Sequence, residues 1–212
     1  MNQDLTDITF LLDRTGSMTS IANDVVGGIN TFVEKQKAAP GQALFTLIQF
    51  DSLDPHEVIH NAKPIHDVPK MQQSDFVPRS TTPLLDALGM AIVKTGERLS
   101  KMSEQGRPEK VVFVVFTDGY ENASKEYKKE KVAEMVKHQN EKYQWNFIFL
   151  GAGIDAFAEA GQIGVCMSTT TSVGLAKTQN AIEMAAKKVV NYRGTGLKAS
   201  LNYTDDERSA IQ

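Results

Sequence analysis

The chain has 212 residues, 41% hydrophobic and 23% charged, enough for one α/β domain with a real core and short for two. A formal net charge of −3 gives no basis for nonspecific adhesion to nucleic acid. No apolar run approaches the length of a membrane span, and the start Met1-Asn2-Gln3-Asp4 has neither the basic nor the apolar region of a signal peptide.

Asp7 to Leu12 reads as a strand buried on both faces. Gly16 marks the turn after it. A helix follows with Ile21, Val25, Ile29, Phe32 and Val33 on one stripe, and Pro40-Gly41 stops it. Ala43 to Phe50 reads as a second strand. His56 to Lys63 reads as a third, more polar one; the short turn at Asp51 to Pro55 permits only an antiparallel hairpin, so this is an edge strand. Residues 64–83, with four prolines, read as a long surface loop of the kind that usually carries function. Pro83 suits the first turn of the next helix, which carries Leu85, Leu88, Ile92, Leu99 and Met102 and closes at Gly106 to Pro108.

Val111 to Phe116 is the most hydrophobic run and reads as a central strand. A charged helix is expected over about residues 125–142, with Val132, Met135 and Val136 toward the sheet and Glu121–Lys125 and Glu126–Lys129 as weak helix pairs. Trp145 to Leu150 reads as a strand, Ala156 to Gln162 as a short helix and Val165 to Met167 as a short strand. Leu175, Ile182, Ala186 and Val189 mark a last helix over about 174–192. Cys166, the single cysteine, lies in an apolar setting and reads as a buried structural thiol. With no disulfide possible, a cytoplasmic protein is expected.

Alternating strands and helices imply a doubly wound α/β fold: a mostly parallel sheet with one antiparallel edge strand and helices on both faces. The domain is expected over residues 1–194, followed by a polar tail over 195–212. In such sheets ligands gather outside the carboxyl ends of the strands. Asp13-Arg14-Thr15-Gly16-Ser17 stands directly after the first strand, and Thr117-Asp118-Gly119 directly after the hydrophobic fourth. Ser80-Thr81-Thr82-Pro83 stands in the loop before the middle helix. This fold would bring all three to one edge of the sheet. They offer oxygen ligands only, which suits Mg²⁺, Mn²⁺ or Ca²⁺ and not zinc. Hydroxyls bind an ion without cancelling its charge, so a cation facing mostly hydroxyls would attract a carboxylate from outside.

The segments Asp7 to Met18, Thr82-Pro83-Leu84-Leu85-Asp86-Ala87 and Phe116-Thr117-Asp118-Gly119 resemble the metal-ion-dependent adhesion site of von Willebrand A domains. That pattern is Asp-x-Ser-x-Ser, then a distant Thr, then a distant Asp. The resemblance implies that Thr15, Ser17 and Thr82 coordinate a divalent ion, Mg²⁺ first, through hydroxyls. Asp13 and Asp118 would act directly or through water. A Glu or Asp of a protein partner would fill the open position, and neither nucleic acid nor membrane is implied. No oligomeric state is specified. Thr15 departs from the more usual Ser, its methyl narrowing the site. Arg14 is also unusual, and if turned to the cleft it would help hold an acidic partner. Glu121 and Asn122 are expected near the rim but not as ligands.

The resemblance implies a binding module and not an enzyme. An enzymatic alternative is a haloacid dehalogenase-like, Mg²⁺-dependent phosphotransferase with Asp13 as nucleophile, because Asp13-Arg14-Thr15-Gly16-Ser17 is similar to an Asp-Lys-Thr-Gly-Thr phosphorylation motif. That reading lacks the lysine and general base it requires.

Overall fold

The computed structural model describes all residues, Met1–Gln212. A six-stranded sheet is formed by β1 (Asn2–Asp13), β2 (Gln42–Asp51), β3 (Asp54–Pro64), β4 (Pro108–Thr117), β5 (Asn146–Ala152) and β6 (Thr170–Val173). Their order is β3-β2-β1-β4-β5-β6. Every neighbouring pair is parallel except β2 with β3. The helices are α1 (Ala22–Ala38), α2 (Leu84–Ser100), α3 (Lys129–Tyr143), α4 (Ala156–Gln162), α5 (Thr178–Thr195) and α6 (Asp205–Ala210).

The central strands are apolar on both faces because both are covered. Along β1, Ile8, Phe10 and Leu12 enter the core under α1 and α5, while Leu11 enters the core under α2, α3 and α4. In β4, Val112, Val114 and Phe116 alternate with Val111, Phe113 and Val115 in the same way. This is the two-residue period of a strand serving two layers. On the first face α1 and α5 pack so closely that a Cβ on Gly28 would lie 2.8 Å from the Ile182 side chain. The doubly wound sheet with one antiparallel edge strand is the architecture expected.

Several local expectations are corrected. Helix α3 starts at Lys129, four residues later than expected. The buried Asp86 carboxylate accepts hydrogen bonds from the amides of Lys125, Glu126 and Tyr127, at 2.7, 2.9 and 2.8 Å, and holds that stretch out of a helix. The charge pairs assigned to the helix at Glu121–Lys125 and Glu126–Lys129 therefore fall largely before it. The short strand lies at Thr170–Val173 instead of Val165–Met167. Val165 is used to close α4, its amide bonding the Ala160 carbonyl at 2.9 Å. Cys166 is exposed.

Residues 195–212 are folded, not a loose tail. Leu201, Tyr203 and Ile211 are buried in the core under α1 and α5. The Gly174 amide bonds the Ile211 carbonyl at 2.8 Å, the Tyr203 amide bonds Ser168 at 2.8 Å, and Lys188 pairs with Glu207 at 2.6 Å. This segment runs back along the β6 side of the sheet. No helix is long and apolar enough to cross a membrane.

Candidate metal site at the carboxyl ends of the strands

β1 and β4 are adjacent and parallel, with Leu12 opposite Phe116, so Asp13 and Thr117-Asp118 emerge side by side. Asp13 is fully buried. Its Oδ1 accepts the Thr15 amide at 2.7 Å, which turns the chain sharply after the strand. Its Oδ2 accepts the Thr117 hydroxyl at 2.5 Å. That turn brings the Thr15 and Ser17 hydroxyls within 3.2 Å of each other, and Ser17 donates to Asp118 Oδ1 at 2.6 Å. Asp13, Thr15, Ser17 and Asp118 thus form one linked group of oxygens.

Thr82 joins from the third loop. Its hydroxyl sits so close to the backbone after Asp118 that a Cβ on Gly119 would start 2.7 Å from it. Two reciprocal bonds hold Thr82: its amide donates to Asn122 Oδ1 at 2.9 Å, and the Asn122 amide donates to its carbonyl at 3.0 Å. Asp13, Thr15 and Thr82 are buried, whereas Ser17 is exposed and Asp118 half-buried. Solvent therefore reaches the group through Ser17 and Asp118.

Burial pushes the Asp13 carboxyl up to about 6, partly offset by its bonds to Thr117 and Thr15 and reinforced by the charge of Asp118. Burial also raises Asp118, opposed by the Ser17 hydroxyl. No lysine or arginine bonds either carboxylate. Two desolvated carboxylates side by side are costly as a pair of anions, and a cation among them would offset that cost. The donor set is oxygen only. It contains no cluster of three or more His, Cys, Asp or Glu, so hydroxyls outnumber carboxylates. These residues fit a hard divalent ion that keeps water or an outside ligand.

Arg14 does not turn to the cleft. It is buried, and its guanidinium bonds Asp51 at 2.7 and 3.0 Å and Gln49 at 3.1 Å, on the β2 side. It cannot meet a partner's acid there. Glu121, expected near the rim but not as a ligand, has both carboxylate oxygens engaged by protein donors. It accepts the Leu85 amide at 2.8 Å, at the start of α2, together with the amides of Ala123 and Ser124 and the Ser124 hydroxyl. The amides of Leu85 and Asp86, in the first turn of α2, are thus met by Glu121 and Ser124 from the loop after β4. Thr117 and Asn122 also matter to the site: Thr117 donates to Asp13, and Asn122, expected only near the rim, holds Thr82. The only sequence signal for them is their place beside Asp118.

The family model for the von Willebrand factor type A domain matches residues 7–173, and the chain belongs to this family. A comparison with curated protein sequences found no match. Among solved structures, proximal thread matrix protein 1 (PTMP1) from the mussel byssus is similar at TM-score 0.62 and 16% identity, over 88% of this chain and 46% of that one. The pilus adhesin SpaC from Lactobacillus rhamnosus GG is similar at TM-score 0.65 and 13% identity, over 87% and 30%. The manganese-loaded TRAP protein from Plasmodium vivax is similar at TM-score 0.54 and 14% identity, over 86% and 73%. A further PTMP1 structure carries zinc in its MIDAS motif, at TM-score 0.56 and 15% identity over 85% and 46%. At these identities the likeness establishes the fold. The chain spans about half the length of PTMP1 or less of SpaC.

Proposed function

We propose that this domain is a metal-dependent protein-binding module, in which Asp13, Thr15, Ser17, Thr82 and Asp118 hold one divalent cation, Mg²⁺ first, and an Asp or Glu side chain of a protein partner completes the site. The observation that carries the reading is the linked pair of carboxylates, Asp13 and Asp118, met by hydroxyls and amides, bonded by no cationic side chain and open through Ser17. The ion, when bound, supplies a positive centre that a carboxylate from outside can enter. Asp13 anchors the first loop through the Thr15 amide and orients the Thr117 hydroxyl. Thr15, Ser17 and Thr82 offer neutral oxygens. Asn122 keeps Thr82 in place against Gly119. The metal-loaded relatives named above support the choice of a metal, and the pilus adhesin supports a role in adhesion.

The phosphotransferase alternative gains nothing from the site. No lysine bonds the cluster, and Thr82 leads into α2. Titration calorimetry with Mg²⁺ and Mn²⁺ tests the proposal. The expected result is one site per chain, lost in Asp13→Ala, with partner capture from a proteome lost in EDTA. A wild-type chain with no heat of binding and no thermal stabilisation at millimolar metal would remove the ion from this account.

A further inference from the structure

Beside the candidate ligands lies a second cluster, of buried Arg14 and Asp51 with the more exposed Arg79 and Glu57, whose charges touch none of those ligands. Arg14 donates Nε and Nη2 to Asp51 Oδ2 at 3.0 and 2.7 Å and Nη1 to Gln49 Oε1 at 3.1 Å, and its Nη2 lies 2.5 Å from Glu57 Oε2. Arg79 donates Nε to the same Asp51 oxygen at 2.9 Å and is 3.6 Å from Glu57. Asp51 also accepts the amides of Leu53 and Asp54 at 2.7 and 3.2 Å. Two guanidiniums and two carboxylates thus tie together the loop after β1, the β2–β3 hairpin and the loop before α2.

Backbone bonds follow the same seam. The Arg14 amide bonds Phe50, Arg79 bonds the Arg14 carbonyl, Gly16 bonds the Ser80 carbonyl and Ser52 bonds the Thr81 carbonyl, at 2.9, 2.9, 3.1 and 2.9 Å. Ser80 is held in the left-handed region at φ 63°, a conformation a non-glycine residue keeps only where its surroundings enforce it. Stability alone does not account for the cluster, because apolar side chains of similar volume usually stabilise a fold as well as a buried ion pair does. What a planar, five-donor guanidinium offers in addition is fixed geometry.

We propose that Arg14, paired with Asp51 and braced by Arg79, is a positioning residue: it sets the separation between the Asp13–Ser17 loop and the Ser80–Thr82 loop, and so the metal affinity of the five oxygens. This rests on the metal-site reading above. Arg14 acts through the backbone, flanked in sequence by Asp13 and Thr15. Arg79 is 43% exposed at its side chain, so it can be changed with little disturbance of the core.

The test measures Mn²⁺ affinity by calorimetry, melting temperature, and amide hydrogen exchange at Gly16 and Ser52 in metal-free protein. The variants are Arg14→Met, Arg14→Lys and Arg79→Met. Arg98→Met serves as control, because it removes another arginine–aspartate pair, Arg98 with the buried Asp7, remote from the site on β1. Loss of a partner that orients a ligand typically weakens metal binding about 10- to 100-fold. Arg14→Met should fall in that range, Arg14→Lys in between, and Arg79→Met should weaken binding a few-fold, each with faster exchange at Gly16. Arg98→Met should lower the melting temperature and leave Mn²⁺ affinity unchanged. If Arg14→Met does not fold, Arg79→Met and Arg14→Lys decide. Wild-type affinity in the Arg14 and Arg79 variants overturns the positioning role alone; a wild-type chain that binds no Mn²⁺ overturns it together with the metal site.

Discussion

Two aspartates on one strand, six residues apart, meet opposite surroundings. Asp7 and Asp13 are both on β1 and both fully buried. Asp7 receives a two-pronged arginine, Arg98, at 2.8 and 2.9 Å. Asp13 receives an amide and a hydroxyl, and its nearest charged neighbour in the group is another carboxylate, Asp118. Burial raises both carboxyls, but at Asp7 the guanidinium opposes it directly. A buried carboxylate with its own cation is part of the framework. One with only neutral donors, at a strand end beside a second carboxylate, lacks such a partner, and on the function proposed above it would meet a cation from elsewhere.

The sharpest way to break this contrast is to exchange each aspartate for alanine. Asp13→Ala should abolish Mn²⁺ binding, a loss of at least about 100-fold, while the metal-free protein stays folded, because removal of a desolvated carboxylate offsets the lost acceptor for the Thr15 amide and Thr117 hydroxyl. Asp7→Ala should leave the ion affinity intact and lower stability by about 2–4 kcal/mol, below the usual loss for a fully enclosed pair because Arg98 reaches solvent. If calorimetry found metal binding impaired equally in both variants, the division between framework and site would fail.

A second test uses pH. Asp13 has a folded value of about 6 against an ordinary 3.8, so folding favours its neutral form. The stability this contributes is complete below about pH 4 and is lost as pH rises through about 6. Ion binding needs the charged form. The rise in melting temperature from saturating Mg²⁺ should therefore be larger at about pH 7.5 than at about pH 5. Equal rises at both values would remove Asp13 from the ion's surroundings. A third test is smaller. Asn122→Ala removes the side chain that fixes Thr82 and should weaken Mn²⁺ binding about tenfold, with Asn122→Asp, which keeps the acceptor oxygen for the Thr82 amide, closer to wild type.

The parts legible in the sequence are those where local pattern and position agree. Val111–Phe116 declares itself because both faces of β4 are buried. The three site loops are recognisable because two follow strands and the third leads a helix. β6 is hidden because its buried residues include Thr170 and Thr171, which the fold buries without any apolar signal. The segment after α5 is hidden for a related reason: Leu201, Tyr203 and Ile211 are separated by polar residues and show neither helical nor strand period. Arg14 is misread because its partner, Asp51, is 37 residues away and becomes a neighbour only once β1 and β2 pair. What cannot be read from spacing is direction, that is, which way a long side chain turns after the backbone has been placed.

Thr15 gives the smallest and most discriminating effect. It stands where the family more often has serine, and the difference is one methyl group on a residue that is almost wholly buried. Its hydroxyl is 3.2 Å from that of Ser17, and its amide is the donor to Asp13; serine retains both functions. Thr15→Ser should therefore change Mn²⁺ affinity by less than about threefold, because the donor atom stays and only packing is relaxed. Thr15→Val keeps the shape and the amide but removes the oxygen, and should weaken binding about tenfold or more. Affinities ranked Thr, Ser and then Val place the hydroxyl on the ion. Equal affinities in Thr and Val forms would mean that residue 15 serves the turn alone and that the ion is held by the other four residues.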